Sequence, residues 1–195
     1  MDTSGNLTQT GFIYPMNTDI YYGQYTNVLF IDNTVPSYQT FVDSTNAYTF
    51  PIVYSKDCSG TELFELLRNR FSSIPRIGFV FTSQGNQSST FLDNQPLFTD
   101  NYDDSPNLEL IVAMIREFSV INVDFLACDT LKYTNWKTYY EFLNQSTGVI
   151  VGASDNKTGN IKYGGDWILE STSQDIETVY FTQSIAYYQY LLDNN

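Results

Sequence analysis

The sequence predicts an α/β layout: a mostly parallel sheet with helices on both faces. Two observations predict the sheet and its cover. Short runs rich in Val, Ile, Leu and Phe recur five times, and segments with apolar residues at helical spacing alternate with them. Strands buried on both faces lose the in–out alternation and read as continuous apolar runs. Strands alternating with helices then favour a parallel sheet with right-handed crossovers. At 195 residues the chain can bury one sizeable core, and 42% hydrophobic and 16% aromatic content is too rich for a disordered polymer.

Residues 1–26 read as an aromatic and polar arm, and residues 27–195 as the domain. The arm has no period, but Tyr14, Tyr21, Tyr22 and Tyr25 are too many rings for a plain linker, so it is expected to pack on its own domain or on a neighbouring subunit. The strands are expected at Asn27–Asp32, Phe50–Tyr54, Arg76–Thr82, Asn122–Ala127 and Val149–Ala153. Pro51 counts against the second of these as a strand. Ser59-Gly60-Thr61-Glu62 has capping-box spacing and opens a helix with Leu63, Leu66, Leu67 and Phe71 on one stripe. Ser105-Pro106 pairs an N-cap with an N1 proline ahead of Leu108, Ile111, Val112 and Ile115. Thr134 is placed to cap a helix bearing Trp136, Tyr139, Tyr140 and Leu143, which Gly148 closes. Asn160–Tyr163 and Trp167–Glu170 flank Gly164-Gly165 and suggest a hairpin. Ile185, Tyr188 and Leu192 suggest a last helix over about Thr182–Leu192.

Composition narrows the functions. With a formal net charge of −13 and nine Lys plus Arg, the chain lacks the basic clusters that phosphate backbones and anionic membranes require. A protein partner or self-association is expected, and nucleic acid and membrane are not. Without histidine a zinc site would need several cysteines, and the chain has only Cys58 and Cys128; no metal and no cofactor are expected. Asp100, Asp103 and Asp104 share a polar loop but lack the spacing of a calcium loop. Both cysteines are expected as free thiols. The start, Met1-Asp2-Thr3-Ser4-Gly5, has neither a basic nor an apolar leader region, and no apolar run approaches a membrane span. An intracellular or virion-associated location is the expectation.

In open α/β sheets, sites collect beyond the carboxyl ends of the strands. Ser83-Gln84-Gly85 follows the third strand and Cys128-Asp129 the fourth, so their tips should lie side by side. Asp129 should disfavour a Cys128 thiolate and Lys132 should oppose that effect.

These residues carry a resemblance. From about Asn27 to Thr178 the chain resembles the DUF4347 family, a caspase-like (clan CD type) domain. Phe30–Tyr38 looks like the family's opening strand and turn, Ser83-Gln84-Gly85 like its Ser-His-Gly, and Ala127-Cys128-Asp129 like its Gly-Cys-Asp. Gly148–Gly159 followed by Gly164–Glu170 looks like its C-terminal signature. The resemblance implies that Cys128 stands at the nucleophile position, that Gly85 could offer a backbone N–H to an oxyanion, and that Gln84 stands where the family has histidine. A glutamine amide exchanges no proton near neutral pH, so the acid–base step is missing. Cys128, Gln84, Gly85 and Asp129 therefore read as a vestigial site. The leading expectation is a catalytically inactive domain with a binding, structural or assembly role. The rival is a cysteine hydrolase or self-processing peptidase that uses Cys128 with a carboxylate or a partner's residue.

Overall fold

The five apolar runs pair side by side into one parallel sheet in the computed structural model, which describes residues 11–16 and 21–194. Strands β1 (Asn27–Asp32), β2 (Thr49–Tyr54), β3 (Arg76–Val80), β4 (Asn122–Leu126) and β5 (Ile150–Gly152) lie in the order β2-β1-β3-β4-β5. Helices α1 (Gln39–Ser44), α2 (Gly60–Arg68), α3 (Pro106–Glu117), α4 (Thr134–Thr147) and α5 (Glu177–Tyr180) complete the frame.

The period of two divides the strand residues between two cores. Val28, Phe30, Phe79 and Phe125 face Leu63 of α2, Ile111 and Met114 of α3, and Tyr139 and Leu143 of α4. Leu29, Ile31, Val80 and Leu126 face Phe41 of α1 and Tyr180 of α5 on the other side. Helices thus cover both faces, as the sequence predicts.

Local signals act largely where expected. Ser59 Oγ accepts the Glu62 N–H at the start of α2, and Gly148 closes α4 in the left-handed region at φ 77°. Ser105 precedes α3, but its hydroxyl accepts the Thr99 N–H (2.8 Å) and caps nothing in the helix. Thr134 is the first residue of α4, with Tyr133 in the cap position. Pro51 sits on an edge strand, where a missing N–H is tolerated.

Two further expectations are corrected. No α-helix spans Thr182–Leu192: a 3₁₀ turn at Gln183–Tyr187 gives way, after an extended Tyr188, to a bent segment with isolated bridges at Leu191 and Asp193. Asn160 Nδ2 donates to the carbonyls of Ala186 and Tyr188, which removes acceptors that an α-helix would use. The hairpin also falls elsewhere. Strands β6 (Ile168–Leu169) and β7 (Gln174–Asp175) pair antiparallel, whereas Ile161–Tyr163 is a 3₁₀ turn and Gly164 its left-handed cap.

The described part of the arm packs on the domain. Ile13 pairs antiparallel with Val53 on the outer edge of β2, Phe12 is fully buried, and the Arg70 guanidinium lies 4.9 Å from the Tyr14 ring centre. Tyr22 and Tyr25 set ring edges against Phe50, and Tyr22 also meets Phe71. Tyr21 is exposed. Residues 1–10 and 17–20 of the arm lie outside the described residues.

A charged triad is built into the sheet around Asp124. Asp124, in the middle of β4, accepts from Arg76 (3.0 Å) and from the Tyr180 hydroxyl (2.7 Å), while Arg76 also reaches Gln174 Oε1. Burial pushes the Asp124 carboxyl up, and Arg76 works against that. Gly152 on β5 leaves the carboxylate its room, since a Cβ there would stand 2.2 Å from Asp124 Oδ1. The triad fastens α5 and β7 to the sheet. Asp124→Ala should strand a largely buried guanidinium and destabilise the fold by about 3 kcal/mol in urea unfolding. Adding Arg76→Met to that variant should return part of the loss.

Candidate functional site

The β3–β4 register, with Val80 opposite Leu126, sets the two strand tips side by side. Beyond β4, Cys128 turns to the same face as Leu126 and joins the cluster of Trp167, Tyr188 and Leu192. It is fully buried, and Cys58 is a second buried free thiol far along the chain. The Thr158 N–H points at Cys128 Sγ from 3.3 Å, and the Thr158 hydroxyl donates to the Ala127 carbonyl (3.2 Å).

The loop that brings Thr158 there, residues 154–159, is held by Asp166 and Glu170. Glu170 accepts from the Ser154 hydroxyl (2.7 Å), the Asp155 N–H (3.1 Å) and Asn156 Nδ2 (3.0 Å). Asn156 Nδ2 also donates to Asp166. The Asn156 carbonyl then accepts the Asp129 N–H at 2.8 Å, which ties the loop to the β4 tip. Asp129 is left-handed at φ 61° and pairs with Lys132 (2.7 Å) and Lys157 (3.1 Å). Burial would raise its carboxyl, but hydrogen bonds and charge from the two lysines outweigh that and hold it low.

A strap from the end of the chain, residues 190–193, lies across both tips. The Leu192 carbonyl accepts two backbone N–H groups, from Ser83 and from Cys128, each at 3.1 Å. The Leu192 N–H donates to the Thr158 carbonyl (2.9 Å), and the Asn160 N–H to the Tyr190 carbonyl (3.2 Å). Asp193 forms an ion pair with Lys157, which bridges it to Asp129. The strap runs so close to the signature loop that a Cβ on Gly159, itself at φ 139°, would meet the Tyr190 carbonyl oxygen at 2.7 Å. A Cβ on Gly165 would meet Leu191 Cδ2 at the same distance.

Burial is the main reason that the Cys128 thiol is pushed up to about 12; the Thr158 N–H opposes it and Asp193 adds to it. Neither of the residues nearest in sequence, Asp129 or Lys132, decides the matter.

Gln84 is exposed, and no hydrogen bond among the described residues joins it to Cys128. Its carbonyl accepts the Gln87 N–H. Gly85 is left-handed at φ 64°, and its carbonyl accepts the indole N–H of Trp136 at 3.2 Å. The amides that converge on one carbonyl at the two strand tips are those of Ser83 and Cys128, not that of Gly85. Thr158, Lys157, Leu192 and Asp193 complete the site and escape a reading of the sequence. The paired glycines 159 and 165 are the one signal that could have pointed to a close chain crossing.

Residues 28–192 match the family described as a domain of unknown function, DUF4347. The chain belongs to the DUF4347 family. The match runs past the Thr178 at which the resemblance in sequence ended and takes in Leu192, so most of the strap lies within the DUF4347 unit. No curated protein and no solved structure matches the chain.

Gly159→Ala tests the crossing. A side chain there combines a strained φ with backbone overlap and should destabilise the fold by about 2 kcal/mol in chemical unfolding. Cys128 should react faster with a small alkylating reagent in the same variant, because the strap has been lifted.

Proposed function

We propose that this chain is a caspase-like DUF4347 domain without peptidase chemistry, retained as a binding or assembly module, with Gln84 where a catalytic histidine would stand. One observation carries the reading: a chain with no histidine holds Cys128, the thiol at the nucleophile position, fully buried in one cluster with Leu192. A thiol at about 12 is ionised to roughly one part in 10⁵ at pH 7. No imidazole is present to take its proton or to protonate a leaving amine. Large exposed tyrosines, among them Tyr48, Tyr163, Tyr187 and Tyr190, support a contact role, since tyrosine gives wide apolar area with a polar tip.

The rival, a self-processing cysteine hydrolase, draws on one observation of its own. Two backbone amides already hold the Leu192 carbonyl, as an oxyanion cradle would. The thiol's protonation weighs against it, because attack needs a thiolate.

The purified chain should keep its mass on long incubation and should not cleave peptide libraries above background. In a Cys58→Ser background, iodoacetamide labelling of Cys128 should be slow at pH 8 and rise about tenfold per pH unit to pH 10. Rapid labelling at pH 7 together with a cut after Leu192 would reverse the choice between the two readings.

The same thiol sets an alkaline limit. The unfolded chain gives up this proton near pH 9 and the folded one near 12, so the folded state holds more protons in between and stability falls as pH rises. At pH 10 the Cys128→Ala variant should have lost about 1 kcal/mol less than the native chain, relative to each protein's stability at pH 7.

A further inference from the structure

We propose that the strap is the resident occupant of a peptide groove, and that an extended strand of a protein partner, carrying an apolar residue followed by an acidic one, takes the same seat. The proposal rests on the non-catalytic binding reading above and names its ligand. Four backbone bonds hold residues 190–192, through Ser83, Cys128, Thr158 and Asn160, and bonds of this kind accept any sequence in extended form. Selectivity comes from two positions. The Leu192 side chain is fully buried in the cluster with Cys128 and Trp167, and Asp193 is held by Lys157.

Glycine at 159 and 165 clears the path of the crossing chain. The resident strand is imperfectly held. Tyr190 is 46% exposed, and the Tyr188 hydroxyl just before it is buried with no hydrogen-bond partner among the described residues. Beyond its apolar–acidic pair the incoming strand should be neutral or basic, because the chain as a whole carries −13.

The test uses the full chain in the Cys58→Ser background. Asp193→Lys sets two like charges against each other and frees the strap, and Lys157→Ala removes the same clamp without adding charge. The probe is a fluorescein-labelled peptide Tyr-Leu-Leu-Asp-Asn, with a control in which lysine replaces the aspartate. Asp193→Lys should label at Cys128 at least tenfold faster than the parent and bind the Asp peptide at least tenfold more tightly than the Lys peptide by anisotropy. Saturating Asp peptide should slow labelling again. Lys157→Ala should also label faster, but should bind the two peptides about equally. Unchanged labelling in both variants, shown folded by circular dichroism, would overturn the strap as the cover. Opened variants that bind neither peptide, or that run as dimers, would overturn the partner strand. Cleavage of the peptide would instead sink the non-catalytic reading and leave the groove standing, so the two failures are distinguishable.

Discussion

Backbone N–H groups at the ends of parallel strands have no further strand to receive them, and in a buried setting each must find an acceptor. At the tips of β3 and β4 two such groups, on Ser83 and Cys128, converge on the one carbonyl of Leu192. That convergence ties the two central strands, the signature loop and the end of the chain into one unit. Remove the carbonyl and two donors are orphaned beside an apolar cluster, the thiol gains access to solvent, and the Lys157 bridge loses an anion. The chemistry of Cys128 follows from this closure, since the same burial that satisfies the backbone keeps the thiol protonated.

The sheet was legible because burial on two faces writes a simple signature. Runs such as Val28-Leu29-Phe30-Ile31 alternate between two cores, and both demand apolar residues. Helix ends were legible where one side chain does the capping, as at Ser59, or where one φ decides, as at Gly148. The end of the chain was not. Ile185, Tyr188 and Leu192 match a helical stripe, yet their burial is set by Asn160, 25 or more residues earlier, whose amide takes the carbonyls a helix would need. Side-chain periodicity carries no record of backbone bonds made to a distant loop.

The candidate site divides in the same way. Position at the strand tips placed Cys128 and Asp129 on the rim, and both take part in the closure. The sign of the thiol's shift could not be read from Asp129 and Lys132, because burial, a property of the whole fold, outweighs both. Asp124 held a signal that went unread. An acidic residue inside a strand buried on both faces requires a partner, and Arg76, two positions out of register on the neighbouring strand, supplies it.

The pairing of Ile13 with Val53 reaches beyond the arm it belongs to. On the outward side of β2, the Thr49 N–H is taken by the Asn46 carbonyl, Pro51 has none to give, and the Val53 N–H is taken by Ile13. That margin of the sheet offers no donor to a passing strand. A strand approaching this border edge-on would have to donate to it without receiving an N–H in return, which weakens edge-to-edge pairing along it.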